Sequence, residues 1–466
     1  MSASQSPAAG VTSPIVPRPY LYAFILVTSL FALWGFANDI TNPMVKAFKD
    51  IFLLDNTQSS LVQFAFYGGY ATMALPAALI IRKYSFKTGI VVGLALYAVG
   101  ALLFIPASMA KEFNLFLVAY CILTFGLAFL ETSANPYILS LGPIETATRR
   151  LNLAQSFNPM GSLIGMWVAS QLILPALDVN EFRAKQAELH PEYKTMAPAQ
   201  VDKAITGALV EFHESEPEAY SQLQDNDLAT IRVPYIVLGL VVLGVMALFM
   251  VSRLPATGHP EEDIHPLQVL KNLMHFRYVG GVVAQAANIG AQILCWTFII
   301  HYGMTLLRLS ASEAQNYNIA AMVIFVTGRF ICTYFLRYVS PGLLLGTLAL
   351  GGMALSLGTV FLQGFPGLYC LVGISGCMSL MFPTIYGIAL DGLSIDDAKL
   401  GSAGLIFAIV GGALMPPLQG RIIDMGDFQF AGRTLESVRV SFLLPLLCFA
   451  VVAAYGFLTA RKAKLA

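Results

Sequence analysis

Charged residues are scarce in this 466-residue chain, where only 12% of the residues are Asp, Glu, Lys or Arg. Soluble domains carry about 25%, whereas this chain is 57% hydrophobic with a mean hydropathy of +0.69. A water-soluble globular protein is therefore excluded. The 27 basic and 27 acidic residues balance, and the basic ones form no stripe, which argues against nucleic-acid binding.

Cysteine and histidine are also few. The six cysteines all lie in apolar runs, and the six histidines form no metal-spaced pair with another ligand. The sequence therefore gives no sign of a disulfide framework, a metal centre or an intramembrane enzyme, and we expect no cofactor. Residues 1–19 lack the pattern of a signal peptide and are interpreted as a disordered cytoplasmic tail.

Long apolar runs dominate the rest of the chain. A membrane-spanning helix needs about 20 mostly apolar residues to cross a hydrocarbon core of about 30 Å, and twelve stretches meet this requirement. Numbered in chain order as spans 1 to 12, they are predicted at 20–48, 57–81, 88–107, 113–141, 151–175, 231–252, 277–305, 312–336, 341–362, 366–390, 398–421 and 438–460. The predicted fold class is an all-α membrane protein.

The spans divide into two sets of six around a polar joint. Lys and Arg are more frequent in the short loops after even-numbered spans, for example Arg82, Lys83 and Lys87, so both termini should be cytoplasmic. The predicted organisation is an N-terminal six-helix bundle at 20–252, a cytoplasmic linker at 253–275, a C-terminal six-helix bundle at 276–460 and a cytoplasmic tail at 461–466.

A long polar insertion follows span 5, at residues 176–230. It should face outside, because long loops are translocated largely regardless of their charge. Its stretch 198–212 has a helical apolar period and predicts a small surface helix. Surface loops accept extra length at little cost, so we favour an insertion without a role in the chemistry.

Two acidic residues lie inside predicted spans, where charge is costly and marks a candidate functional site. Asp39 is in the middle of span 1, and Glu131 is in span 4. Asn42 follows Asp39 by three residues and Asn135 follows Glu131 by four, so each acid shares a helix face with an amide. Because burial disfavours the charged form of a carboxylate, we predict that Glu131 and Asp39 can take up and release protons near physiological pH. The alternative is that these acids only hold helices together.

Uncharged amides recur on other spans. Amides both donate and accept hydrogen bonds, which suits a neutral polyhydroxylated ligand such as a sugar, and an indole offers a face for a sugar ring. The predicted substrate-binding residues are Asn38, Asn42, Gln63, Asn135, Gln155, Asn158, Gln285, Asn288, Gln292 and Trp296. Hydrogen bonding between helices is the alternative for these groups. Arg329 in span 8 is predicted to be a gate or packing residue.

Several sequence strings carry a more specific resemblance. They are LWGFAND in span 1, QFAFYGGY in span 2, LETSANPYILSLGP in span 4, RLNLAQSFNPMGSLIG in span 5, AQILCWTFIIHY in span 7, FVTGRF in span 8, FPTIYGIAL in span 10 and GSAGLIFAIVGGALMPP in span 11. Together with the division into six and six spans, they resemble the fucose permease family of sugar:proton symporters in the major facilitator superfamily. The resemblance covers nearly the whole chain and implies the major facilitator fold.

The resemblance also implies roles for individual residues. In the family, an acid on span 1 and an acid on span 4 are implicated in proton coupling and sugar binding, and span-5 amides contribute to the sugar site. The span-4 acid matches Glu131, and the span-5 amides match Gln155 and Asn158. The usual span-1 acid matches Asn42, whereas Asp39 lies one turn earlier. Acid and amide have therefore exchanged places on one helix face, which leaves two alternatives: Asp39 takes over proton coupling, or it lines the pore while Glu131 alone carries the proton.

The implied function is import of a neutral hexose, of the L-fucose, galactose or glucose class, by proton symport with alternating access in a bacterial inner membrane. The expected partners are the sugar, the proton and the lipid bilayer, and a monomer is expected. Sodium coupling stays open, because Asp39, Asn38 and Asn42 offer oxygen ligands for a hard cation. A sugar sensor of the same fold that does not transport is the other alternative.

Overall fold

Twelve helices cross the thickness of a membrane, as predicted. The computed structural model describes residues 14–41, 44–54, 56–196, 198–255, 271, 273–309, 311–430 and 433–463. Within these residues, spans 1 to 12 run Arg18–Ile40, Phe64–Lys83, Phe86–Ala110, Phe113–Ser140, Ile144–Ala176, Pro217–Val251, Phe276–Leu307, Glu313–Phe335, Pro341–Phe361, Phe365–Leu390, Ile395–Asp424 and Ser437–Ala460. The chain is an integral membrane protein.

Seven spans are continuous α-helices, and five are interrupted. The continuous helices are Leu21–Thr41, Asn56–Lys83, Phe113–Ser140, Pro217–Val251, Phe276–Leu307, Ala311–Phe335 and Pro341–Phe361. The interrupted spans are 3 (Phe86–Leu102, Phe104–Ala110), 5 (Ala147–Gln155, Phe157–Val168), 10 (Phe365–Met378, Met381–Leu390), 11 (Ile395–Phe407, Gly411–Asp424) and 12 (Ser437–Val440, Leu443–Ala463). A short antiparallel pair of strands, Phe428–Phe430 and Arg433–Leu435, joins spans 11 and 12.

The same helix contacts occur twice, six spans apart. Span 1 packs on span 5 as span 7 packs on span 11, and span 2 packs on span 4 as span 8 packs on span 10. One buried apolar core is built mainly from spans 1 to 6, and a second is built from spans 7 to 12. The predicted fold of two six-helix bundles is confirmed, whereas the exact boundaries of the bundles stay a prediction. Residues 1–13, 256–270, 272 and 464–466, which include parts of the predicted tails and linker, lie outside the described residues.

Spans 1 and 5 pack closely because glycines line their contact. A Cβ atom at Gly161 would collide with the carbonyl oxygen of Ala32, and one at Gly35 would collide with that of Asn158. Small residues let helix backbones approach where apolar burial between helices gives little driving force. The contact fixes span 5 directly against the helix that carries Asp39.

The two bundles meet near one end of the molecule, called here the basic end. It carries the loops after spans 2, 4, 8 and 10, at residues 84–85, 141–143, 336–340 and 391–394. Near it, the Asn152 side-chain nitrogen donates to the Thr384 hydroxyl over 3.1 Å, which joins spans 5 and 10. The Ser402 hydroxyl donates to the carbonyl of Thr132 over 3.1 Å, which joins spans 11 and 4.

The polar insertion is folded and is attached to the extension of span 1. Its helices are Asp178–Leu189 and Pro198–Ser215, so the predicted surface helix is confirmed. Arg183 bridges two carboxylates, with nitrogen–oxygen distances of 3.1 Å to Asp50 and 2.6 Å to Asp202. Asp50 lies on the helix Met44–Ile51, which follows span 1.

The predicted start of span 6 at residue 231 is wrong. The helix begins at Pro217 and contains 35 residues, so at 1.5 Å per residue it is about 50 Å long and exceeds the hydrocarbon core. Its first turns carry the acidic end of the insertion, where Tyr220 donates to the carbonyl oxygens of Asp50 and Ile51 at 3.1 and 3.0 Å. Apolarity measures the membrane-embedded length and not the helix length, which explains the error.

Candidate functional site

Glu131 is the acid at the centre of a polar chain that links three spans. Its side chain is 7% exposed. One carboxylate oxygen accepts from the Tyr70 hydroxyl of span 2 over 3.3 Å, and the other finds no hydrogen-bond partner in the described part of the chain. Asn135, one turn later, donates to the Glu131 carbonyl over 2.9 Å and accepts from the Gln155 side chain over 2.7 Å. Three predicted residues, Glu131, Asn135 and Gln155, therefore lie together.

Span 1 contributes Asn38 and Asp39, both half-buried. The side-chain oxygen of Asn38 is buried and has no partner among the described residues. Asp39 lies near enough to Tyr67 of span 2 for the two side chains to interact electrostatically. Asn42 lies outside the described residues, as does the side chain of Gln63, so the exchange of acid and amide along span 1 stays a prediction.

Span 5 is broken at Ser156, which separates its predicted residues. Asn152 and Gln155 end one helix, and Asn158 begins the next. The Asn158 side-chain nitrogen donates to the carbonyl oxygen of Phe31 in span 1 over 3.2 Å, while the residue stays half-buried.

The amide side chains of span 7 are buried, and their polar atoms form few hydrogen bonds with other described residues. Neither side-chain polar atom of Gln285 has a partner within the described ranges, nor has the side-chain nitrogen of Asn288. Gln292 donates to the Asn288 oxygen over 3.5 Å, which is a long hydrogen bond. Unpaired polar groups in an apolar interior are costly. Their presence on one helix face is the arrangement expected of a site that a polar ligand completes.

Trp296 lies one turn beyond Gln292, and its indole is fixed by a hydrogen bond and by a ring contact. Its indole nitrogen donates to the Ser375 hydroxyl of span 10 over 3.1 Å. Its ring meets Phe325 of span 8 edge-on, with ring centroids 4.9 Å apart. The indole is fixed in orientation and partly exposed, as a stacking platform requires.

Arg329 is a buried cation at the junction of the two bundles, 3% exposed. It donates to the carbonyl oxygen of Ser379 over 2.6 Å and to that of Gln155 over 2.8 Å. The guanidinium also lies 4.6 Å from the ring centroid of Phe325. The first of these bonds stays in the second bundle, and the second crosses to the first bundle.

Sequence reasoning missed Tyr70, the residue that contacts Glu131. A signal for it exists in the spacing, because Gln63, Tyr67 and Tyr70 follow one another at i, i+4 and i+7 and share one helix face. Tyr386 of span 10, which interacts electrostatically with Glu131, had no comparable signal. It reaches this acid through the contact between bundles.

Two other features do not belong to this site. An apolar groove of about 710 Å³ lies between spans 1, 5 and 6 and is lined by residues such as Leu172 and Val233, which are more than half exposed on the outer surface of the bundle. None of the predicted site residues lines it. Over the described ranges, no group of three or more His, Cys, Asp and Glu could hold a metal ion.

Comparison with known proteins gives the family. Residues 24–178 match the family model described as Major Facilitator Superfamily. The chain is 49% identical to the L-fucose-proton symporter of Haemophilus influenzae over 449 residues, which are 96% of this chain and 98% of the relative. It belongs to the fucose permease family of the major facilitator superfamily.

Two further members extend the comparison. The glucose/galactose transporter of Brucella abortus (strain 2308) is 30% identical over 96% of both chains. A crystal structure of FucP, a major facilitator transporter, in the outward conformation superposes with a TM-score of 0.79 at 32% identity and covers 95% of this chain and 99% of that one. The FucP structure therefore shares the fold over 95% of this chain.

Proposed function

We propose that the protein is a secondary active transporter that imports a neutral hexose, of the L-fucose, galactose or glucose class, by proton symport. It is a transporter and not an enzyme. The observation that carries the proposal is the buried Glu131 carboxyl group, which lies one helical turn before Asn135, whose side-chain oxygen accepts from the Gln155 amide. A side chain that can take up a proton thereby lies one turn from amide side chains that can bind hydroxyl groups.

The second bundle supplies the other wall of the proposed sugar site. Gln285 and Asn288 have unpaired polar atoms among the described residues, and sugar hydroxyls can both donate to and accept from such amides. Trp296 offers its ring to the apolar face of the sugar. Since the two walls belong to different bundles, sugar binding would depend on how the bundles sit relative to each other.

The same arrangement suggests how a proton drives import. Protonation of Glu131 removes a buried charge and gives the carboxyl a donor, which favours the loaded state and its passage across the membrane. Loss of the proton to the less acidic interior then restores the charge and releases the sugar. A proton entering down the membrane potential contributes about 2.3 kcal/mol per 100 mV.

We further propose that the basic end faces the cytoplasm of a bacterial inner membrane, with both termini on that side. Lys and Arg flank its loops, as Arg82, Lys83 and Lys87 do around residues 84–85, and such residues are more frequent on the cytoplasmic side of a membrane protein. The bundles touch near this end, for example through Asn152 and Thr384, so the structure would be an outward-facing state. Its likeness to FucP in the outward conformation supports this proposal.

The deciding experiment is a pH measurement on proteoliposomes that contain the purified protein. L-fucose, D-galactose, D-glucose, D-mannose and N-acetylglucosamine are added in turn. Proton symport predicts external alkalinisation with a transported sugar. In Glu131→Gln the alkalinisation should be lost, whereas exchange of sugar across the membrane is retained because Gln resembles the protonated acid. Asp39→Asn, assayed in parallel, reports whether the span-1 acid also couples.

Other outcomes would contradict the proposal. Sugar flux that needs sodium at constant pH would replace proton coupling by sodium coupling, for which Asn38 and Asp39 are candidate ligands. Sugar binding without flux would identify a sensor. Alkalinisation that persists unchanged in both Glu131→Gln and Asp39→Asn would show that neither acid carries the proton.

A further inference from the structure

Three prolines in the spans each leave a backbone carbonyl without its α-helical donor. In an α-helix the amide of residue i+4 donates to the carbonyl of residue i, and proline has no amide hydrogen. The affected carbonyls and the prolines four residues later are Thr132 with Pro136, Gln155 with Pro159, and Ser379 with Pro383. All three lie inside spans, where water is not available to replace the lost bond.

Each of these carbonyls accepts a side-chain hydrogen bond instead. The Ser402 hydroxyl donates to Thr132 over 3.1 Å. Arg329 donates from Nη1 to Gln155 over 2.8 Å and from Nε to Ser379 over 2.6 Å. The bonds to Thr132 and Gln155 come from the opposite bundle. Proline-freed carbonyls of the first bundle therefore serve as acceptors for the second bundle.

Arg329 is suited to this arrangement because its guanidinium is planar and donates in two directions at once. A lysine has a single charged nitrogen and could not hold the same two oxygens in this geometry. Arg329 donates to the backbone carbonyl of Gln155. The side chain of the same Gln155 donates to Asn135 over 2.7 Å. The position of the Gln155 backbone therefore sets where its side-chain amide meets Asn135.

We propose that Arg329 is a positioning residue that substitutes for the amide donors which Pro159 and Pro383 lack, and that it thereby holds the Gln155 end of the sugar site. The reference to sugar rests on the proposed function above. The bond to Ser379 anchors Arg329 in its own bundle. The bonds from Arg329 to Gln155 and from Ser402 to Thr132 must break whenever the bundles separate at the basic end.

The test compares L-fucose binding to purified variants that elute as monodisperse protein. Arg329→Gln should bind L-fucose at least about tenfold more weakly, the loss expected for one charged hydrogen bond. Adding Pro159→Ala to Arg329→Gln returns an amide donor to the Gln155 carbonyl and should recover at least about threefold of the affinity. The matched control, Arg329→Gln with Pro383→Ala, returns a donor only to Ser379 and should recover none.

Three results would overturn the proposal. They are binding by Arg329→Gln within twofold of the unsubstituted protein, equal recovery with Pro159→Ala and Pro383→Ala, and full affinity in Arg329→Lys. The last result would mean that charge alone matters. Arg329→Lys also serves as the test if the proline variants do not fold.

A second readout needs no sugar. Spin labels at Tyr84→Cys and Tyr338→Cys, positions that are 61% and 63% exposed in loops of the basic end on different bundles, report the distance between the bundles. Arg329→Gln should populate longer distances, and Ser402→Ala should do so to a smaller extent. If the unsubstituted protein binds no L-fucose, the fucose proposal fails, and this distance still decides the role of Arg329. An unchanged distance in Arg329→Gln would then overturn it.

Discussion

A buried polar side chain in the site can favour ligand binding and at the same time lower the stability of the ligand-free fold. Gln285 is the clearest case. It is fully buried, and its polar atoms have no partner within the described chain. We expect this side chain to destabilise the sugar-free protein, since desolvation of its amide is not offset by a hydrogen bond to another described residue. We infer that the polar atoms of Gln285 gain hydrogen-bond partners when the sugar binds.

Gln285→Leu should therefore weaken sugar binding at least about tenfold, because the lost hydrogen bonds to hydroxyl groups are not replaced. The melting temperature of the sugar-free protein should stay the same or rise. Binding and thermal unfolding of the purified variant measure the two effects.

Gln419 provides the matched control for this substitution. It is buried and donates to the Ser441 hydroxyl over 3.0 Å in spans 11 and 12. Gln419→Leu should lower the melting temperature and leave sugar affinity within about twofold. A Gln285→Leu protein that melts lower and binds sugar normally would assign Gln285 to helix packing.

Pairs of helices are held together by backbone contact as well as by side chains, as spans 1 and 5 illustrate. Gly161→Ala places a methyl group against the carbonyl oxygen of Ala32, and neither backbone can move without carrying its helix along. We expect a loss of about 1–3 kcal/mol, the usual range for overpacking, seen as a lower melting temperature and less folded protein in the membrane.

Gly244 in span 6 is the control for the same substitution. A Cβ atom there meets nothing within 4 Å, so Gly244→Ala should leave stability unchanged or raise it slightly through helix propensity. Equal stability of the two variants would mean that spans 1 and 5 are not in the close contact described.

The elements that the sequence predicts well are those encoded locally. A span is a continuous apolar run, so its existence follows from hydropathy alone, and Pro159 and Pro383 indicate where helices are interrupted. The partners of Arg329 could not be predicted, because they are backbone oxygens of Gln155 and Ser379 on two other spans. Pro159 and Pro383 mark these carbonyls as lacking an amide donor, but no sequence pattern indicates which side chain donates to them.

The grouping of Glu131, Asn135 and Gln155 lies between these extremes. The first two share a helix face by spacing, whereas Gln155 joins them only through the packing of span 5 on span 4. The sequence therefore predicted which residue types belong to the site and left open which of them touch.

At the scale of the whole molecule, we expect the insertion to lie outside the membrane and the basic end to face the cytoplasm. The orientation can be tested with cysteines introduced one at a time at Leu189, on the insertion, and at Tyr338, on a loop of the basic end. These positions are 70% and 63% exposed. A membrane-impermeant maleimide should label Leu189→Cys in spheroplasts without disruption, and Tyr338→Cys only after permeabilisation. The unsubstituted chain, with its six native cysteines, gives the background. The reverse labelling pattern would invert the proposed topology.

The attachment of the insertion has a practical consequence for imaging. Small transporters without soluble domains are hard to align in electron micrographs, since the detergent or lipid belt hides their helices. Here two helices, Asp178–Leu189 and Pro198–Ser215, are tied to the extension of span 1 through Arg183 and Asp50. An antibody fragment raised against this folded surface would report the orientation of the first bundle directly.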